Sequence, residues 1–215
     1  RVSLDFDGAN DKVALAGEQG LLGTAARTIV SWSNADATQT SGARPTMVSW
    51  GAVNGTAYGA RCDANLDHSN GYRLRAEFNG GGMNFSTATR SDLRGAGWVH
   101  CAIVIPANAR FIDVLGYLDG VPATGTYVGG QPSTTAVNTT TGGDVTIGNI
   151  HDTSALRCYA GLLDDVRIYP RALTAGEIAA LAGQAADEDF RALWSYRYGG
   201  SDMPSETDWA TDVDR

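Results

Sequence analysis

Oxygen-bearing side chains alternate along Asp63-Ala-Asn65-Leu-Asp67, a spacing that could serve a cation. Calcium takes roughly six to eight oxygens from carboxylates, amides and carbonyls, and short Asp/Asn loops supply them. The stretch is not an EF-hand: His68 stands where that loop needs Gly, and Leu74 where it needs the bidentate Glu. The competing role is an Asx-rich hairpin turn whose side chains bond their own backbone. Asp7, Asn10 and Asp11, in the turn after the first apolar segment, form an alternative metal set. Sugar recognition would need rings to stack on and planar polar groups beside them. Segment 52–73 supplies a candidate ligand-binding set in Tyr58, Arg61, Asp63, Asn65, Asp67 and His68. Trp50, beside it, and Tyr72, within it, read as core.

Catalytic constellations are harder to find. Glycoside hydrolysis needs two carboxylates flanking the scissile bond. The five glutamates (Glu18, Glu77, Glu177, Glu188, Glu206) form no such pair in the sequence. Asp164 and Asp165 are adjacent, so on a regular strand they face opposite sides. His68, His100 and His151 lie in unlike contexts with no nucleophile motif beside them. The expectation is a protein without enzymatic activity.

The elements that position these residues are read from the pattern of the chain. Its 215 residues carry 24 acidic and 16 basic side chains, a net charge of −8. Lys12 is the only lysine. Nucleic acid rewards clustered cations through counterion release, so a nucleic-acid partner is not expected. No apolar run approaches the roughly 18 to 20 residues of a membrane span, so membrane insertion is not expected either. The chain opens at Arg1, as a processed or excised fragment would. Three cysteines are too few for a disulfide scaffold. Cys101 reads as core, and a Cys62–Cys158 bridge is open only if their strands meet.

Twenty-seven glycines, without collagen's period of three, imply many turns and many short strands. Period-two segments recur between Gly, Asn, Asp and Pro: Val2–Phe6, Lys12–Leu15, Arg27–Ser33, Thr46–Gly51, Tyr58–Cys62, Tyr72–Phe78, Met83–Thr87, Trp98–Ile105, Phe111–Leu118, Val145–Gly148 and Leu162–Tyr169. Arg73, Arg75 and Glu77 read as the solvated face of their strand. Trp98–Ile105 is nearly all apolar and should be covered on both faces. Thr124–Thr141 is Thr- and Gly-rich and reads as a loop or edge. Thr174-Ala-Gly-Glu177 is a capping box, followed by Ile178, Leu181 and Ala182 at helical spacing.

Residues 184–215 differ in character. They hold eight acids and three bases, so five of the eight net negative charges lie there. One helix is expected, with Phe190, Leu193 and Trp194 on its apolar face and Trp209 beyond it as a second anchor. Such a stripe must pack on its own domain or on a partner.

Five segments resemble the laminin G-like branch, in its bacterial and viral form, of the concanavalin A-like lectin/glucanase superfamily. The most specific is Tyr159-Ala-Gly-Leu-Leu-Asp-Asp-Val-Arg-Ile-Tyr-Pro-Arg-Ala-Leu-Thr-Ala-Gly-Glu-Ile-Ala-Ala-Leu181, which resembles the family's closing phrase. Leu4-Asp-Phe-Asp-Gly-Ala-Asn-Asp11 resembles its opening hairpin, and Thr28-Ile-Val-Ser-Trp32 its first Trp strand. Trp98–Ile105 resembles its Trp-His-His strand, with Val99 in place of the first His, and Tyr117–Val121 its Tyr-Val-Asp-Gly turn. The resemblance covers residues 2–182 and implies an all-β jelly-roll sandwich of two antiparallel sheets. The expected organisation is a sandwich over 1–183 and an acidic tail over 184–215. Relatives often hold one calcium on the sandwich rim, so Ca2+ is the one cofactor the resemblance suggests. Glucanases of this fold carry a Glu-x-Asp-x-x-Glu type strand, which is missing here.

A fold of this kind does not fix a function. The expected function is a non-enzymatic recognition module, extracellular or on a cell or virion surface, binding glycan or a partner protein surface through its loops, with calcium assisting. The alternative is a structural or decoration subunit of a virion or surface fibre. It would form a homo-oligomer or larger assembly through Phe190, Leu193, Trp194 and Trp209. A glycoside hydrolase is disfavoured by the missing carboxylates.

Overall fold

The computed structural model describes residues 3–39, 44–52, 57–150 and 157–183. The expected tail helix and the contacts assigned to Phe190, Leu193, Trp194 and Trp209 therefore lie outside the described residues. Among the described residues there are twelve strands: β1 (Leu4–Asp7), β2 (Val13–Ala14), β3 (Arg27–Ala35), β4 (Thr46–Gly51), β5 (Arg61–Asp67), β6 (Arg73–Phe78), β7 (Gly81–Ser86), β8 (Val99–Ile105), β9 (Leu115–Leu118), β10 (Val121–Gly129), β11 (Thr146–Ile147) and β12 (Ala160–Tyr169). The helix α1 (Ala175–Gly183) follows β12.

The strands hydrogen-bond in the order β1-β12-β3-β8-β9-β10-β7-β6-β5-β4-β11-β2, and every named pair is antiparallel. The first part of β10 pairs with β9 and the rest with β7. It carries the sheet from one layer to the other. Alternation explains why the layers close on each other. Ile29, Val99, Cys101, Ile103 and Leu163 of the first layer share one core with Trp50, Cys62, Leu66, Leu74, Phe78 and Phe85 of the second. The all-β sandwich read from the sequence is the fold.

The turn between β9 and β10 shows how local sequence sets register. Asp119 and Gly120 have φ of 51° and 78°, and Leu118 pairs with Val121. Two positive φ values in a two-residue loop are the type I′ geometry that matches strand twist, and Asp-Gly accepts it at low cost.

Residues Val99–Ile105 are buried along their whole length, as their apolar run predicts. The outward side chains Ala102 and Val104 join Val30 and Tyr117 in a second cluster, covered by Leu173 and Ile178. The capping box forms as read. Thr174 Oγ1 accepts from the Glu177 amide at 3.3 Å, and Glu177 Oε2 accepts from the Thr174 amide at 2.8 Å. Arg171 first, then Thr174, holds the Glu177 carboxyl down at about 2. Thr174→Ala is expected to lower the melting temperature by about 2–4 °C, the effect of losing one N-cap in a domain of this size. A thermal melt followed by circular dichroism checks it.

Three expectations are corrected, and the open question of a Cys62–Cys158 bridge is answered. The predicted Phe111–Leu118 strand is a 3-10 turn, Phe111–Asp113, followed by the shorter β9. Val121–Gly129, part of which was read as a loop or edge, is a nine-residue strand. Asp164 and Asp165 do not simply alternate, because β12 is bulged between Asp164 and Arg167 and Asp165 has φ of 48°. Asp165 Oδ1 accepts from Arg167 Nε at 2.6 Å and Asp164 Oδ1 from the Asp165 amide at 2.7 Å, which are structural tasks. Cys62 is a free thiol in the core, and the Cys158 thiol donates to the Ala9 carbonyl at 3.0 Å, so the two are not bridged. Among the described residues no helix is long and apolar enough to cross a membrane.

His100 gives the first layer a pH dependence. It is 2% exposed and meets Trp32 edge-on, with ring centroids 5.4 Å apart. Burial pushes its pKa from 6.5 down to about 4, opposed by Asp119 and aided by Arg167. Between those values the unfolded chain binds the proton and the folded one does not. Stability is therefore expected to fall as pH drops from 6.5 towards 4, by up to about 3 kcal/mol from this residue. Denaturant titrations across that window check it. His100→Gln should lose less stability than the wild type over the same range.

Candidate functional site

Strand β5 sits between β4 and β6, and its alternation decides what each residue can do. Cys62, Ala64 and Leu66 point into the core. Arg61, Asp63, Asn65 and Asp67 share the opposite face. Register places Glu77 against Asp63, Arg75 against Asn65, and Ser49 of β4 on the other side of Asp63. Asn84 of β7 lies opposite Arg75. The outer face of the second layer is thus paved with polar and charged side chains.

These side chains are interlocked. Arg61 Nε lies 2.7 Å from Asp63 Oδ2, and its Nη2 donates to Glu77 Oε1. Arg44 Nη1 donates to the same Glu77 oxygen at 2.7 Å, while Asn65 Nδ2 donates to Glu77 Oε2 at 3.0 Å. Arg75 Nη1 donates to Asn84 Oδ1 at 2.9 Å, and Asn84 Nδ2 donates to Asp67 Oδ2 at 2.6 Å. Ser49 Oγ donates to Asp63 Oδ1 at 2.7 Å. Arg157 Nη1 lies 3.5 Å from Glu77 Oε1 and 3.7 Å from Asp63 Oδ2. Four guanidiniums meet three carboxylates, which leaves one positive charge in excess. Arg73, at the start of β6, stands on the same face.

Burial acts first on every charge here, and the partners decide the outcome. Burial pushes the Asp63 carboxyl up, Arg61 opposes this, and repulsion from Glu77 reinforces it. For Glu77, Arg61, Arg157, Arg44 and Arg75 together overcome burial and hold the carboxyl below its usual range. Asp67 is also held low, because bonds from Asn70 and Asn84 and the charge of Arg75 outweigh burial.

The expected ligand set is divided by this geometry. Arg61, Asp63, Asn65 and Asp67 come together, on a strand and not on the loop first assigned to them. Tyr58 is half exposed and packs by Gly80 in the β6–β7 hairpin. His68 opens a 3-10 turn, His68–Asn70, beyond the far end of β5. The strand between them is about 20 Å long at 3.3 Å per residue, so the two do not share the cluster.

The metal sets fit calcium poorly. Asp63 and Asp67 are four strand positions apart, about 13 Å, whereas ligands of one ion lie within a few ångströms of each other. Their oxygens face Ser49, Arg61, Arg75, Asn84, Asn70 and the Ser69 amide. In the alternative set, Asp7 Oδ1 accepts from the Ala9 and Asn10 amides and Asp11 Oδ2 from the Asp7 amide. That is an Asx turn, the competing role for such residues. Among the described residues no group of three or more His, Cys, Asp or Glu is arranged to hold an ion.

Ser49, Arg75, Glu77, Asn84, Arg44 and Arg157 were not among the expected ligand residues. One signal was available: Arg-x-Asp-x-Asn-x-Asp over 61–67 has the same period of two as Arg-x-Arg-x-Glu over 73–77. Two adjacent strands with charges in phase place them on one face.

A family model described as the concanavalin A-like lectin/glucanases superfamily matches residues 7–179. The chain belongs to this superfamily. Solved structures agree on the fold. The carbohydrate-binding module CBM40 of the Ruminococcus gnavus IT-sialidase superposes with a TM-score of 0.57 at 14% identity, over 86% of this chain and 98% of that one. Domain 4 of a GH43 extracellular arabinanase from Geobacillus stearothermophilus, solved in complex with arabinotriose, gives 0.52 at 17% identity, over 84% and 76%. The mouse laminin alpha1 chain, domains LG4-5, gives 0.52 at 11% identity, over 80% and 44%. No curated protein matches the sequence. At such identities the likeness concerns the fold, and this concanavalin A-like chain must be read from its own face of β4–β7.

Proposed function

We propose that the chain is a non-enzymatic extracellular recognition module that binds a saccharide on the outer face of β4–β7. The observation that carries the reading is the interlocked polar face itself. Sugar hydroxyls need fixed donors and acceptors in planar groups, and this face holds its part-exposed guanidiniums on a buried layer of carboxylates and amides. Arg44 and Arg157 reach solvent, with side chains 35% and 18% exposed, above a layer at 6% or less. Carbohydrate-binding relatives of the same fold support the class of ligand, namely the module of the Ruminococcus sialidase, also solved bound to alpha2,3 sialyllactose, and the arabinanase domain bound to arabinotriose.

The partners of the carboxylates support binding without turnover. Asp63 and Glu77 stand opposite each other, and their oxygens meet guanidinium, amide and hydroxyl donors. A hydrolase needs one carboxyl poised as acid and the other open to water or to the sugar. A glycan array paired with a reducing-end assay tests the reading. Retention of at least one saccharide with no release of reducing ends is expected. An array with no retained saccharide, or measurable release, would contradict it.

A further inference from the structure

We infer that the saccharide this face selects carries a carboxylate; the inference rests on the proposed binding reading and names its ligand class. Among the described residues, the outer face of β4–β7 carries no aromatic ring, because Trp50, Phe78 and Phe85 all point into the core. Stacking on a sugar ring is therefore not how this surface discriminates. Charge and hydrogen bonding must do it.

The charge is placed for an anion. Arg44 and Arg157 both approach Glu77 Oε1 from the exposed side. That oxygen already accepts from Arg61. Arg157 Nη1, at 3.5 and 3.7 Å from its nearest carboxylate oxygens, is too far for hydrogen bonds and has no other acceptor. The Arg44 Nε proton is likewise unused. An incoming carboxylate would meet the part-exposed Arg44 and Arg157 side chains, in the planar, two-bond geometry that Arg favours. Beneath them, Asn65 is fully buried and its Oδ1 accepts from nothing. The local positive excess is also set against a chain of net charge −8, so it is not a by-product of composition.

The test is calorimetric titration of the full chain with uronic-acid oligosaccharides (oligogalacturonate, hyaluronan and alginate fragments) and with the methyl ester of each. At least one acid is expected to bind tenfold or more tightly than its ester. Arg44→Gln with Arg157→Gln should abolish that preference, so that acid and ester bind the double variant alike. Arg157→Lys, which keeps the charge and loses the fork, should fall between and guards against a folding artefact. Equal binding of acid and ester would overturn the inference while leaving saccharide recognition intact. So would a preference that survives the double substitution, or binding of sulfated oligosaccharides in place of carboxylated ones. Failure of every saccharide, neutral ones included, would overturn both.

Discussion

Glu77→Ala is expected to cost about 3–5 kcal/mol of stability, the penalty for removing one partner from a buried ion network. The magnitude follows from what remains. Arg61 and Arg75 stay in place, with side chains 6% and 2% exposed, and lose a carboxylate that both approach. Asn65 loses the acceptor of its amide as well. In a domain of this size the loss corresponds to a fall in melting temperature of about 10 °C. Glu77→Gln keeps the shape and an acceptor and should cost less. The pH dependence carries a sign. The Glu77 carboxyl titrates below its ordinary value, so its contribution is present above that value and disappears as pH falls through the folded one. The Glu77→Ala deficit should therefore shrink below pH 4. Asp63 works the other way: its raised pKa means that the ionised form burdens the fold at neutral pH and protonation relieves it. Urea titrations at pH 7 and pH 3 measure both effects. A Glu77→Ala deficit below 1 kcal/mol at pH 7 would mean the network is not held together as described.

Trp50→Ala is expected to cost a comparable 3–5 kcal/mol, roughly the range for emptying a large aromatic site. Trp50 is fully buried on β4, and its Nε1 donates to the Leu21 carbonyl at 3.0 Å. The substitution opens a cavity between the layers and strands that carbonyl. Gly20 also depends on the ring, since a Cβ there would stand 2.6 Å from Trp50. The indole thus pins segment 20–21 onto the second layer. Trp50→Phe refills most of the volume and leaves only the lost hydrogen bond, so it should recover more than half of the stability. Differential scanning calorimetry on the three proteins decides between the cavity and the hydrogen bond as the larger part.

How much of this was legible in the sequence depended on whether the cause was local. The Thr174–Glu177 capping box and the Asp119-Gly120 turn were readable because each is specified within four residues. The double burial of Val99–Ile105 was readable from an uninterrupted apolar run. Strand β5 was misread because Asp and Asn are poor strand formers. What holds Asp63, Asn65 and Asp67 extended is pairing with β4 and β6 and bonds from Ser49 and Asn84, which no local window contains. Arg73, Arg75 and Glu77 looked solvated for the same reason. Alternation shows which residues share a face, but Arg75 and Glu77 are nevertheless buried, 2% and 4% exposed. Strand β10 was read only as a loop or edge because its exposed Thr and Gly positions lack an apolar face. The candidate site was half legible. Arg61, Asp63, Asn65 and Asp67 were chosen for their oxygens and charge, while Arg44 and Arg157 reach it from segments remote in sequence.

The central claim is that ligand recognition belongs to the outer face of β4–β7. An amide-resolved NMR titration with the best-retained saccharide tests it most directly. Shifts are expected to gather at Arg44, Arg61–Asp67, Arg73–Phe78, Asn84 and Arg157. Shifts confined to the opposite layer and α1, or to the exposed Ile112, Leu115 and Val121, with the β4–β7 face unmoved, would contradict it.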